Sequence, residues 1–109
     1  MSKFKICNIY SKIPARKDKE IFQTLLESKK LKIERIVSQG QTTKKGKWLK
    51  EKRNEWVMVL KGAAKLRFQK DNQLVKLKAG DYILIPANTA NRVEWTSLRE
   101  KTIWLAVYS

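Results

Sequence analysis

The chemistry open to this chain is limited by the complete absence of histidine from its 109 residues. Without an imidazole, neither a Ser/His nor a Cys/His nucleophile pair can form, and the lone Cys7 has no base to activate it. The most informative remaining group is Glu55, which begins the run Glu55-Trp-Val-Met-Val-Leu60. Val57 and Val59 share its parity along a strand, so we expect the carboxylate to point inward. A buried carboxylate needs a partner or a raised pKa.

Other catalytic constellations are missing from the sequence. There is no Gly-rich phosphate loop and no CxxC pair. A paired-carboxylate mechanism would need Glu55 with Glu51 or Glu94, and no spacing supports either pair. Glu94 should face outward if Asn91, Val93 and Trp95 face in. We interpret the lone Cys7 as a packing residue, which fits a reducing cytoplasm.

The second unusual feature is a net charge of +15, from 25 Lys and Arg against 10 Asp and Glu. Such a surplus could indicate a nucleic-acid partner. However, the lysines are scattered, the densest stretch (44–53) is interrupted by apolar residues, and lysine outnumbers arginine. Specific phosphate and base recognition favours arginine. We therefore disfavour nucleic-acid binding but keep a basic nucleic-acid-associated protein as an alternative.

The elements that must position Glu55 are short strands. From Leu31 onward apolar residues recur at every second position, as in a strand. Runs rich in β-branched or aromatic residues alternate with tight turns. Before them, Ile21, Phe22, Leu25 and Leu26 form a stripe at helical spacing, which predicts a helix over Lys17–Lys29. The predicted organisation is an arm and helix over 1–30 that pack on a β-barrel over 31–109. No apolar run reaches the roughly 20 residues that span a bilayer, and the start lacks a signal-peptide pattern, so we expect a cytoplasmic protein.

Two of the predicted strands are apolar on both faces. In Trp56–Leu60, Val57 and Val59 point to one face, and Trp56, Met58 and Leu60 point to the other. The run Tyr82–Ile85 is also apolar on both faces. One face can line the barrel, but the other would be an exposed apolar patch unless something covers it. The predicted helix and a second subunit are the two available covers. We therefore expect a homodimer.

The spacings Glu55-x6-Gly62 and Gly80-x5-Pro86, in that order among short strands, resemble the two signature motifs of the cupin family. The resemblance covers roughly residues 31–108 and implies an all-β double-stranded β-helix, or jelly-roll barrel, with one short N-terminal helix. In that family three histidines and a glutamate hold a catalytic metal. Mapped onto this chain, Glu55 takes the carboxylate position, and the histidine positions fall on Trp48 and Lys50, or on Leu49 and Glu51. In the second motif Asn88 takes a glycine position, Asn91 the last histidine position and Trp95 the final asparagine position.

No histidine position is retained, so we expect neither a metal nor another cofactor, with a divalent metal as the alternative. One carboxylate and one amide oxygen suit transition metals poorly. If Lys50 pointed inward, its ammonium could pair with Glu55 where the metal charge would be. We favour a solvent-exposed Lys50, since lysines are seldom buried.

The predicted ligand-pocket residues are therefore Glu55, Lys50, Trp48, Asn88, Asn91, Trp95 and Trp104. Aromatic walls with a few polar groups suit a small-molecule site and equally a barrel core. We favour a non-catalytic small-molecule-binding or sensing module, with an anionic ligand in view of the basic surface. The alternative is a divergent isomerase- or oxygenase-like enzyme that uses Glu55 with Lys50 or an atypical metal.

Overall fold

A computed structural model describes residues 3–109, so Met1 and Ser2 of the predicted N-terminal arm lie outside the described residues. Within that range the chain forms eight strands and one 3-10 turn, Lys70–Asn72. The strands are β1 (Ile21–Glu27), β2 (Lys32–Ser38), β3 (Glu55–Lys61), β4 (Ala63–Phe68), β5 (Gln73–Lys78), β6 (Tyr82–Ile85), β7 (Asn91–Thr96) and β8 (Thr102–Tyr108).

The strands make two antiparallel sheets, one in the order β1-β2-β8-β3-β6 and the other in the order β5-β4-β7. The inward rows of both sheets meet in one apolar core, because successive side chains of a strand point to opposite faces. That core includes Ile36, Val57, Val59, Ala64, Leu66, Leu77, Ile85, Trp104 and Ala106. The predicted all-β jelly-roll barrel is confirmed.

The predicted helix over 17–29 is wrong, because this segment contains the edge strand β1. It pairs with β2 from Ile21↔Val37 to Glu27↔Lys32, and the register shifts between Thr24 and Leu26. This shift places Leu26 on the same face as Ile21, which strict alternation along a strand would not do. β-Branched and aromatic residues favour the extended form, and the ladder with β2 supplies the backbone hydrogen bonds that override a helical pattern.

The segment before β1 is held by a buried guanidinium rather than by strand pairing. Arg35 of β2, only 4% exposed, donates from Nη1 to the carbonyl oxygens of Ile9 at 3.0 Å and Ser11 at 2.8 Å. Its Nη2 donates to the Lys12 carbonyl at 3.4 Å and to the Gln23 side chain. The outer side of β2 is therefore covered by the N-terminal segment.

The connection between β2 and β3 runs along the free edge of β7. The Thr43 N–H donates to the Val93 carbonyl at 3.0 Å, and the Thr43 hydroxyl oxygen accepts from the Val93 N–H at 2.9 Å. Further along, Leu49 and Asn91 exchange both backbone hydrogen bonds, at 2.6 and 2.9 Å. This pairing brings residues 49–51 to the open end of the barrel.

The described residues contain no helix with the length and apolar character needed to cross a bilayer.

Candidate functional site

A cavity of about 330 Å³ opens between the two sheets, at the end of the barrel where β3 begins and β8 ends. Its wall combines inward side chains of both sheets, residues at the start of β1 and the 49–51 segment. The lining residues are Glu20, Phe22, Ile36, Leu49, Lys50, Glu51, Glu55, Val57, Leu66, Ile85, Asn91, Val93, Trp104 and Tyr108. Of the seven predicted pocket residues, the cavity brings together Glu55, Lys50, Asn91 and Trp104.

Glu55 points inward, as its parity with Val57 and Val59 predicts. It is the first residue of β3 and lies opposite Tyr108 of β8. The Tyr108 hydroxyl donates to Oε1 of Glu34 at 3.0 Å, and Glu34 also pairs with Lys32 at 3.5 Å. Glu34 is 6% exposed, so a second carboxylate lies behind Tyr108 in the barrel interior.

The surroundings of Glu55 favour its protonated form. Burial, followed by the carboxylates of Glu51 and Glu34, raises the pKa of Glu55 to about 7, and the neighbouring hydroxyl group of Tyr108 partly offsets the rise. Burial, followed by the charge of Glu55, also raises the pKa of the Tyr108 hydroxyl, so this group stays protonated. A carboxyl group whose pKa lies near 7 can exchange a proton at physiological pH.

A second inward carboxyl group is fixed by a hydrogen-bond chain that crosses the sheet. The Trp104 indole N–H donates to Oγ of Ser38 at 3.1 Å, and the Ser38 hydroxyl donates to Oε2 of Glu20 at 2.6 Å. Burial raises the pKa of Glu20, the bond from Ser38 lowers it, and the nearby charge of Glu34 raises it. Trp104 is therefore both an aromatic wall and a positioning group for Glu20.

The 49–51 segment brings Lys50 and Glu51 to the cavity mouth. Glu51 pairs with Nε of Arg53 at 3.4 Å, and the Arg53 guanidinium lies over the Tyr108 ring at 5.2 Å. Lys50 is exposed, and the ion pairs of the described chain do not join it to Glu55. The mouth therefore carries the Glu51–Arg53 ion pair and Lys50, which has no ion-pair partner among the described residues.

Asn91 is a buried amide at the cavity wall. It is only 6% exposed, and its Nδ2 donates to the Thr89 carbonyl at 2.9 Å. Its Oδ1 oxygen accepts no hydrogen bond from residues 3–109. A side-chain carbonyl oxygen that has no donor, on a residue that lines a cavity, is available to a ligand.

The remaining three predicted pocket residues lie elsewhere. Trp48 is 36% exposed and precedes the Leu49 bridge, while Asn88 lies in an exposed turn with φ 62°. Trp95 faces outward because the register of β7 shifts between Val93 and Trp95, which leaves Glu94 as a bulge. The Lys65 ammonium lies 5.1 Å from the Trp95 ring centroid on the outer face. An unbroken alternation predicted the opposite direction for Trp95, and the bulge reverses it.

Glu94 is half-exposed on the outer face, where its alternation with Asn91 and Val93 predicts it. It pairs with Arg92 at 3.1 Å and Arg67 at 3.5 Å. It therefore lies away from Glu55 and takes no part in the cavity.

Sequence reasoning missed Glu20, Glu34 and Tyr108. Tyr108 has the parity of Trp104, and Glu34 has that of Ile36, so extending the alternation along each strand would have found both. Glu20 offered no such signal, because the segment that contains it resembled a helix.

Sequence comparison identifies the fold family. A profile of the cupin domain matches residues 36–108. The chain belongs to the cupin family. A solved protein from Ralstonia eutropha JMP134, provisionally named a mannose-6-phosphate isomerase, is 42% identical to this cupin. The two superpose with a TM-score of 0.90 over 95% of this chain and 96% of the relative.

More distant solved structures share the barrel only. A cupin superfamily protein from Desulfitobacterium hafniense DCB-2 is 18% identical, with a TM-score of 0.72 over 88% of this chain and 82% of its own. The TT1209 protein from Thermus thermophilus is 17% identical, with a TM-score of 0.77 over 97% of both chains. No curated protein is significantly similar to this cupin in sequence.

The donor set of this cupin does not fit the metal centre that its family implies. That centre needs imidazole nitrogens, and the sequence has none. The described residues also contain no group of three or more Cys, Asp or Glu side chains arranged to hold an ion. The side chains that line the cavity offer carboxyl, amide, ammonium, phenol and aromatic groups.

Proposed function

We propose that this cupin is a non-catalytic small-molecule-binding or sensing domain whose ligand occupies the cavity at the barrel mouth. The observation that carries the proposal is an apolar cavity of about 330 Å³ into which a few polar groups converge, Glu55 and Asn91 among them. Cavities of roughly this size and composition are the usual form of small-molecule sites. The barrel end is built from elements of both sheets, so a ligand there would contact both of them.

The experiment is a thermal-shift screen of the purified protein against a metabolite panel, with a variant that fills the cavity. Val93→Phe adds a ring to the cavity wall, while Val107→Phe adds the same ring on the other face of β8. We expect ligands that stabilise the wild type and Val107→Phe but not Val93→Phe. Equal stabilisation of all three proteins would place the binding outside the cavity and contradict the proposal.

A second candidate function is proton transfer on a sugar phosphate. Glu55 has a pKa of about 7, which is favourable for a general base, and the Ralstonia eutropha relative is named an isomerase. This alternative predicts turnover of mannose 6-phosphate that is lost in Glu55→Gln. Absence of turnover by the wild-type protein, or turnover that Glu55→Gln retains, would reject Glu55 as the base and favour the binding function.

A further inference from the structure

We propose that the cavity selects a small organic cation, an amine with a short apolar body, with its ammonium group held at Glu55. This inference rests on the proposed binding function, because it names the ligand class for the same cavity. It departs from the anionic ligand suggested by the surface charge, since the cavity wall differs in charge from the surface.

The charge balance of the cavity is negative although the whole chain carries +15. Three carboxyl groups line it against one ammonium group, and Glu34 lies behind Tyr108. Glu34 is paired with Lys32 at 3.5 Å and Glu51 with Arg53 at 3.4 Å. Glu20 and Glu55 have no ion pair within residues 3–109. An entering cation would therefore supply the missing charge partner, whereas an anion would meet like charges.

Surface lysines do not cancel this local preference. Charges on the surface are screened over about 8 Å at physiological ionic strength. Two charges in contact near a protein interior interact about fourfold more strongly than the same pair in water, because the effective dielectric constant there is lower. The carboxyl groups at the ligand position therefore outweigh the scattered lysines outside.

The hydrogen-bonding groups of the wall point to the same ligand class, because three of its side-chain donors already have acceptors within the protein. The Trp104 indole donates to Ser38, the Tyr108 hydroxyl donates to Glu34, and the Asn91 amide nitrogen donates to Thr89. Apart from backbone groups, the ammonium of Lys50 and the second N–H of the Asn91 amide are the remaining donors of the wall. The Oδ1 oxygen of the buried Asn91 lacks a donor, as described above. A wall with free acceptors and few free donors suits a ligand that donates, and an ammonium group has three N–H donors.

The rest of the wall can take the body of such a ligand. Trp104, Phe22 and Tyr108 supply aromatic surface, and Ile36 and Leu66 supply aliphatic surface. Aromatic faces also attract a cation at close range. An amine that carries a ring or a short aliphatic chain would satisfy both the polar and the apolar parts of the cavity.

Binding of a cation should be coupled to release of a proton from Glu55. Glu55 is faced by Glu34 from β2, Tyr108 from β8, and Glu51 and Lys50 from the 49–51 segment. With a pKa of about 7, much of Glu55 is protonated near pH 6 and ionised near pH 8. The affinity for an amine should therefore rise about tenfold over this range, because the ionised carboxylate is the form that binds it.

The test uses three probes of nearly equal shape: benzylamine, benzyl alcohol and benzoate. Each is titrated into the nitrogen-15-labelled protein near pH 6 and pH 8, and the indole N–H signal of Trp104 reports cavity binding. The variants are Glu55→Gln and Glu20→Gln, with Glu100→Gln as a control on an exposed carboxylate. Circular dichroism confirms that each variant is folded.

We expect benzylamine to bind at least tenfold more tightly than benzyl alcohol near pH 8, and benzoate more weakly still. Glu55→Gln should lose this preference and its pH dependence, Glu20→Gln should weaken it, and Glu100→Gln should leave it unchanged. Benzoate or benzyl alcohol binding as tightly as benzylamine would overturn the cation proposal and leave the binding function standing. If none of the probes shifts the Trp104 signal at millimolar concentration, the cation proposal fails for this cavity. The metabolite screen then decides the binding function separately.

Discussion

Glu55 occupies the carboxylate position of the cupin motif, although the chain has none of the histidines that usually accompany it. Strand parity places its carboxyl group inside the barrel, opposite Tyr108, and no histidine is present to share that space. Burial and two nearby carboxylates raise its pKa to about 7 from an ordinary value of 4.5. The folded state therefore prefers Glu55 protonated, and its ionisation reduces stability.

We predict that Glu55→Gln removes this cost. Because the folded pKa is the higher one, wild-type stability should fall as the pH rises from about 4.5 to about 7 and then level off. The cost above that range is at most about 3 kcal/mol. Glu55→Gln should have nearly the same free energy of unfolding as the wild type near pH 5, and a higher one near pH 8. Guanidinium unfolding at both pH values measures the difference, and equal wild-type and variant pH profiles would contradict the prediction.

Arg35 is a second residue with an unusual role, since its buried guanidinium is bonded to backbone carbonyls and a glutamine instead of an acid. Lysine keeps the charge but cannot reproduce the planar set of donors. We expect Arg35→Lys to cost about 2–4 kcal/mol of unfolding free energy, and to make residues 3–20 more sensitive to limited proteolysis. Arg99→Lys, at an exposed position, is the control. Unchanged protease sensitivity in Arg35→Lys would show that other contacts hold the segment.

At the scale of elements, the glycines of the two motifs are turn positions with different surroundings. Gly62 joins β3 to β4 with φ +87°, and a Cβ there would lie 2.4 Å from Oγ1 and 2.7 Å from Cα of Thr102. Gly80 precedes β6 with φ +94°, and a Cβ there would meet nothing within 4 Å. Both positions strain any other residue, but only Gly62 also has a close backbone neighbour.

We therefore predict unequal costs for the same substitution. Gly80→Ala should lose about 1 kcal/mol, from backbone conformation alone. Gly62→Ala should lose about 3 kcal/mol or more, because the β3–β4 turn must also move away from β8. Urea denaturation of the two variants provides the comparison. Equal losses would mean that the turn relaxes without disturbing Thr102.

Most of the elements could be predicted from the sequence, because their signal is local. The strand runs at 55–60 and 82–85 match β3 and β6 closely, and the alternation along the first placed Glu55, Val57 and Val59 inward. The errors come from register shifts. The shift in β1 hides the strand period of two, and the bulge at Glu94 turns Trp95 outward. A bulge depends on the partner strand, so the periodicity of one strand cannot reveal it.

Strand periodicity gives part of the cavity lining. Glu55, Asn91 and Trp104, which lie on regular strands, are among the lining residues. Trp48 and Asn88 lie in a connection and a turn, where side-chain direction depends on long-range backbone bonds. One such bond, from the Asn88 N–H to the Glu51 carbonyl at 2.7 Å, joins residues far apart in sequence. Such long-range hydrogen bonds depend on the complete fold, so the local sequence does not predict them.

For the whole molecule, the absence of the predicted helix changes the argument about the outer apolar face. On that face Trp56 and Tyr82 lie with ring centroids 5.4 Å apart, and Tyr82 and Leu84 are 65% and 59% exposed. β6 is also an edge strand, and β1 lies at the opposite end of the same sheet. Of the two covers considered from the sequence, the second subunit is the one that remains.

We predict a homodimer that buries this face. Sedimentation velocity at micromolar concentration should give twice the chain mass, and Leu84→Lys should shift the protein to monomer, because it places a charge in an apolar contact. Leu98→Lys, at a position 74% exposed between β7 and β8, should leave the dimer intact. A monomeric wild-type protein would contradict the prediction.

The edge strand β1 contributes to the cavity, since Phe22 belongs to it and Glu20 directly precedes it. Most of β1 is exposed and it pairs on one side only, with β2, so its local opening should cost less free energy than global unfolding. A ligand that contacts Glu20 and Phe22 would bind the closed strand in preference to the open one. Occupancy of the barrel would then appear as slower amide hydrogen exchange along one margin of the sheet. The amide exchange rate of β1 would therefore report whether a ligand occupies the cavity that this strand borders.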